Sequence, residues 1–168
     1  MNIFAVDKDP VKAAQALSDR HVSKMILESA QMLSFVAARH GYPALYKTSG
    51  AHKNHPATIW AGNRYANWKW LVDHALALEE EKLFRTDRGH SSAEVIRYYV
   101  ENHYHPPEDD LEKELFVLCM PDQYRLPQRV RAYRNFYVVE KQVFKDGKKA
   151  TWKRRGPPEW WVWKKENL

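Results

Sequence analysis

Apolar side chains recur every three to four residues over most of the chain, the period of helices that bury one face. The spacing predicts a first helix over DPVKAAQALSDRH, with Asp9 as N-cap and Pro10 at the first helical position. It leads directly into a second helix whose apolar positions Val22, Met25, Ile26, Leu33 and Val36 share a face, and which should stop near Gly41 and Pro43. After the loop GYPALYKTSGAHKNH, Pro56 opens a helix of about 30 residues, with Gly62 as the place for a bend and Trp68, Leu71, Ala75 and Leu78 on one side. Further helices are expected over 91–103, over 109–118 after the stop and restart at HPPEDD, and from Pro127 to Phe144 with Val130, Tyr133, Tyr137 and Val138 facing the core. KDGKK is a turn where at best two short strands meet. The expected fold is mainly α: a compact single-domain helical fold over 1–168 with a basic, aromatic-rich C-terminal tail.

Beside the apolar face of the second helix runs a polar one. His21, Lys24, Glu28 and Gln31 fall at i, i+3, i+7 and i+10 of one stretch, SDRHVSKMILESAQ, and so form a single stripe. A half-buried carboxylate such as Glu28 can act as general base or stabilise a developing cation, and His21 two turns away can shuttle a proton near neutral pH. Lys24 can be a nucleophile where neighbours lower its pKa. The plainer account is a wet edge on which Lys24 and Glu28 form an i, i+4 pair worth roughly a few tenths of a kcal/mol.

Charge adds a second clue. The 168 residues carry a net +6, yet Asp122 to Leu168 hold thirteen Lys or Arg against five Asp or Glu, so the basic character belongs to the last third. There the cations alternate with aromatics, as in RVRAYRNFYVVEK and ATWKRRGPPEWWVWKK, the mixture a surface needs to neutralise phosphates and stack on bases. The competing reading is a basic helix and a Trp-rich tail packed on the core, with Lys and Arg keeping it soluble. Cys119 is the single cysteine, which excludes an internal disulfide and a cysteine-built zinc site. Without a run of about 18 apolar residues or a signal-peptide pattern, the expected setting is a cytoplasm, with no membrane association.

LSDRHVSKMILESAQML resembles the catalytic helix of the pyrimidine-dimer DNA glycosylases of the phage endonuclease V type. That helix carries Asp, one residue, His, and a Glu seven places after the His, as Asp19, His21 and Glu28 do here. Weaker matches follow in the same order: His55 before a long helix with Trp70 and Leu71, then Glu81 and Arg85, then Glu140 and Lys141, then Thr151, Trp152 and Lys153. The chain is also similar to a group of small phage-encoded proteins of unassigned function that share HVxKMxLExAQ and NHPxTIWA, which would make the setting a host-cell cytoplasm. The glycosylase resemblance implies a compact all-α enzyme that needs no metal or other cofactor and flips a nucleotide out of duplex DNA. An N-terminal α-amine attacks the sugar C1′ to form an imine, and β-elimination then cuts the strand. An ordinary α-amine titrates at about 7.7–8.0 and a Lys at about 10.4, so the former keeps a useful unprotonated fraction.

By this resemblance Glu28 stabilises the cationic sugar as the base leaves and His21 assists. Lys141 holds a phosphate, and Trp152 with the basic tail, Lys153 and Arg154 included, supports the distorted duplex. Here Met1 is followed by Asn2, so the attacking amine is that of Met1, that of Asn2 after Met removal, or that of Lys24. Leu27 and Gln31 stand where the family has Arg, which ties the resemblance to base excision in general more than to a pyrimidine dimer. Gln31, Asn54 and His55 are candidates to line the pocket.

HKNH sets His52 and His55 three apart, but no HExxH-like constellation accompanies them or His90, His103 and His105, so no metal is expected. In NRYANWKW, Asn63, Arg64, Asn67 and Lys69 lie along one helix. They form a solvated side beside buried Trp68 and Trp70, or else Arg64 and Asn67 face the cleft of Glu28 to meet a phosphate or a flipped base. Three function classes fit: a DNA glycosylase, with or without lyase activity, for damaged or modified bases; an enzyme on the same scaffold that processes hypermodified bases; and a non-catalytic DNA-binding accessory protein. Duplex DNA is the expected partner, without an obligate protein partner.

Overall fold

Asp9 opens α1 (Pro10–Ala16): one carboxylate oxygen accepts the amides of Val11 at 2.8 Å and Lys12 at 3.0 Å, and Pro10 supplies the fixed φ of the first turn. The chain breaks at Leu17 and Ser18, where the Ser18 amide donates to the Tyr137 hydroxyl at 3.0 Å. Next comes α2 (Asp19–Arg39), about 31 Å long at the helical rise. Its predicted apolar face is buried against α3 (Pro56–Asn63), α4 (Tyr65–Thr86) and α5 (Ser92–Glu101). In α6 (Arg129–Glu140), Ala132, Tyr133, Phe136 and Tyr137 are buried. The computed structural model describes residues 1–109 and 111–165. Among these, six helices are joined by one-turn helices at Ala51–Asn54 and Asp122–Tyr124, and KDGKK carries only an isolated bridge between Val143 and Lys149. The fold is mainly helical, with one apolar core running from Ile3 to Trp161. No helix among the described residues is long and apolar enough to cross a membrane.

The helix expected from Pro56 is in fact two, because Arg64 is extended at φ −141°, ψ 149°. Gly62 serves close packing in place of a bend, since a Cβ there would lie 2.9 Å from Arg39 Nη1 and 3.3 Å from Val36 Cγ2. The break deprives the Trp60 carbonyl of its helical donor, and Asn67 Nδ2 takes that place at 2.8 Å. The helix expected over 109–118 does not form over the described residues, Asp110 lying outside them. Side chains take up the backbone of that segment instead. The Glu114 amide donates to Asn67 Oδ1 at 2.9 Å, Trp60 Nε1 donates to the Leu115 carbonyl at 3.1 Å, and the Tyr133 hydroxyl donates to the Val117 carbonyl at 2.6 Å. The last helix is also shorter than the expected Pro127 to Phe144.

Much of the aromatic tail belongs to the core. Trp152 and Trp161 are buried with ring centroids 4.8 Å apart, and Trp161 packs edge-on against Tyr137 at 5.9 Å. Trp152 Nε1 donates to the Ala16 carbonyl at 3.0 Å, which ties the tail to the junction of α1 and α2.

Candidate active site

A tight reversal at the start of the chain brings its amine to α2. Asn2 Oδ1 accepts the Phe4 amide at 2.8 Å, Phe4 takes a left-handed φ of 39°, and the Phe4 carbonyl accepts the Val6 amide at 2.7 Å. Asn2 Nδ2 donates to the Cys119 carbonyl at 2.7 Å, so the extended segment before α6 holds the hook shut. The Met1 side chain is buried, and its Sδ accepts the Thr58 hydroxyl at 3.5 Å. In consequence the Met1 amine stands 3.9 Å from Glu28 Oε2, and the Asn2 amide donates to the same oxygen at 3.1 Å. Lys24 Nζ is 3.3 Å from Glu28 Oε1. All three candidate amines thus meet one half-buried carboxylate.

His55 lies on the same side. Its Nδ1 caps α3 by accepting the Ala57 amide at 3.1 Å, and burial, followed by the positive N-terminal amine, holds its pKa below the usual histidine value. Asn54 precedes it in an exposed position, and Gln31 is partly exposed further along the stripe. Nothing in the sequence points to Thr58, Phe4 or Cys119 as residues of the site. The Asn2–Cys119 contact spans 117 residues and leaves no local spacing to read; only Asn2, a turn former, gave a signal.

The proton shuttle read into His21 is corrected by its surroundings. Its ring is buried against Phe4 at 4.7 Å, and Nδ1 shares a 2.7 Å hydrogen bond with the Tyr137 hydroxyl. Burial, and then Lys141, Lys24 and Arg20, lower its pKa to about 3, so the ring stays neutral near pH 7 and props Phe4 within the hook. His74 is likewise buried, its pKa lowered to about 4 by burial against the opposing bond to the Pro10 carbonyl. Both rings protonate more readily in the unfolded chain, so their contribution to stability is full above about pH 6.5 and is lost on acidification toward their folded values. Stability at pH 5 should be about 3 kcal/mol lower than at pH 7 in urea unfolding, and His74→Gln should remove about half of that dependence. A flat profile between these pH values would contradict the two assignments.

The motif residues Asp19, Glu81, Arg85 and Thr151 converge on a scaffold away from the amine. Arg85 Nε donates to Glu81 Oε1 at 2.7 Å, and its Nη atoms reach Asp19 Oδ1 at 3.1 Å and the carbonyls of Leu17 and Gln15, each at 2.9 Å. Arg155 Nη2 adds a bond to Glu81 Oε2 at 2.9 Å, and Thr151 and the Lys153 amide bond Asp19 at 2.6 and 3.0 Å.

The DNA-contact candidates scatter. Asn67 is buried in its bonds to Trp60 and Glu114, so the cleft position considered for it is corrected to a pin between α3, α4 and the extended segment. Arg64 turns to the same segment, with Nη1 donating to the Glu112 carbonyl at 3.2 Å, and does not join Glu28. Trp152, buried as described, is corrected from a duplex support to a core residue. Lys141 is half-buried beside Phe136, its Nζ 4.8 Å from the ring centroid; burial lowers its pKa, and Lys24 and Lys145 add to the effect. Lys153 lines a 640 Å³ groove with Arg20, Lys148 and Lys149, and exposed Arg154 pairs with Asp87 at 2.6 Å. Among the described residues, no group of three or more His, Cys, Asp or Glu side chains could hold a metal ion.

The family model described as pyrimidine dimer DNA glycosylase matches residues 1–95. The chain belongs to that family. The match takes in the hook, Glu28, His55 and the Glu81–Arg85 pair of this glycosylase-family protein, whereas Cys119, Lys141 and the aromatic tail lie beyond it. No curated protein and no solved structure matches the chain.

Proposed function

We propose that this family member is a DNA glycosylase with associated lyase activity, acting on damaged or modified bases in duplex DNA. The observation that carries the reading is the α-amine 3.9 Å from Glu28 Oε2. Removal of Met1 would leave the new amine on Asn2, whose nitrogen is 3.1 Å from that oxygen, so the carboxylate serves either nucleophile. In the reaction the unprotonated amine attacks C1′ of a flipped nucleotide, and the base leaves with the bonding pair and takes up a proton from water. The C1′–O4′ bond then breaks, O4′ taking up a proton, to give the ring-opened imine. Glu28 offsets the positive charge on the sugar and accepts the proton released by the attacking nitrogen. Loss of the C2′ proton and of the 3′ phosphate completes β-elimination, and water hydrolyses the imine. Lys141, Lys153 and Arg154 serve as phosphate contacts, while Gln31, Asn54 and His55 border the flipped nucleotide.

Borohydride trapping on a duplex with one abasic site tests this reading. A covalent adduct is expected with the native chain and with Lys24→Gln, and should vanish when the α-amine is acetylated. Loss of adduct in Lys24→Gln alone would transfer the nucleophile to Lys24. Absence of any adduct, with duplex binding intact, would defeat the lyase reading.

A further inference from the structure

Away from Glu28, a 440 Å³ cavity opens between residues 113–116, the start of α6 and Lys8. Leu115, Phe116 and Val130 give it apolar walls, and Lys8, Lys113 and Arg129 supply three cations. Glu114, its one carboxylate among the described residues, is already held by Asn67 Nδ2 at 2.8 Å and Arg64 Nε at 3.5 Å. Lys113 Nζ lies 3.8 Å from the Phe116 ring centroid, and burial, followed by the neighbouring charge of Lys8, lowers its pKa. Arg129 Nε is buried without a hydrogen-bond partner. Gln128 gives α6 no side-chain cap, and no acid stands in its first turn. Positive charge therefore gathers around an apolar hollow where, among the described residues, no free carboxylate of the wall opposes it.

We propose that this cavity binds a nucleotide unit, with its phosphate on Lys8, Lys113 and Arg129 and its base along Leu115 and Val130, the accessible part of the apolar wall. Several separate cations suit the oxygens of a phosphate, and an apolar wall suits the flat face of a base. The choice of a nucleotide over another amphipathic anion rests on the DNA-glycosylase reading. The same chemistry is offered by a free nucleotide and by a nucleotide within a strand.

Titration of the full chain with thymidine 5′-phosphate, followed by tryptophan fluorescence, tests the site, since the rings of Trp70 and Trp60 lie 4.7 and 5.8 Å from that of Phe116. A saturable change is expected, weakened about tenfold or more in Lys113→Gln/Arg129→Gln, with thymidine and inorganic phosphate each binding less tightly than the nucleotide. Lys8→Gln, at an exposed position, should show a smaller loss and serves if the double variant melts early. Competition by a short oligothymidylate would assign the site to a strand, and lack of competition to free nucleotides. Three results would overturn the proposal: no saturable change, unchanged affinity in a folded double variant, or tighter binding of dodecanoate. Borohydride trapping in the same samples separates the two readings, because an intact adduct without nucleotide binding removes this cavity alone.

Discussion

Glu28→Gln is expected to slow base release from a damaged duplex by about 100- to 1,000-fold, the range seen when one preorganised electrostatic contact to a transition state is removed. The substitution preserves shape and leaves an oxygen to accept the Asn2 amide, now 3.1 Å from Oε2, but it abolishes the negative charge next to the amine and Lys24. Trapping on a preformed abasic site should fall less than base release on intact substrate, because an aldehyde needs no help to expel a base. Measuring both rates on one preparation, together with the urea midpoint, separates chemistry from folding. Base release at the native rate in a folded Glu28→Gln chain would sink the assignment of this carboxylate.

The second large effect concerns stability. Arg85→Met should cost about 3–5 kcal/mol, as expected when one partner of a buried ion pair is deleted and the others stay behind. The Arg85 side chain is 1% exposed and holds Glu81, Asp19 and two carbonyls at the end of α1. Arg155 still compensates Glu81, but Asp19 keeps only Thr151 and the Lys153 amide and loses its ion-pair partner, and the two carbonyls lose the guanidinium. Since a domain has only about 5–15 kcal/mol to lose, a large fall in the urea midpoint is expected. A loss below about 1 kcal/mol would mean that water or Arg155 replaces the guanidinium, and that the cluster contributes little.

How far the sequence could be read depends on whether the deciding contacts are local. Asp9 as cap, Pro10 at the first turn and the apolar face of α2 act within a few residues, and their pattern carried through to the structure. The grouping of Lys24 with Glu28 was equally legible, being set by helical spacing alone. What escaped was set at a distance. The break at Arg64 is satisfied by Asn67, and the non-helical course of 111–120 depends on an indole N–H from α3, an asparagine amide from α4 and a tyrosine hydroxyl from α6 that local propensity does not include. Burial also reversed two chemical expectations: a histidine at helical spacing looked titratable until Phe4 and Tyr137 closed over it, and a tryptophan among cations looked like a DNA contact until Ala16 took its N–H.

The hook that carries the amine also fixes an order of events during synthesis. Residues 1–4 are made more than a hundred residues before the carbonyl of Cys119 and the rings of Phe136 and Tyr137 that hold them. The nascent chain can settle α2 early through local contacts, but its first residues must wait for the last helix. The earliest-made atoms of the candidate centre are therefore among the last to be placed, and the centre is assembled only after α6 has been made.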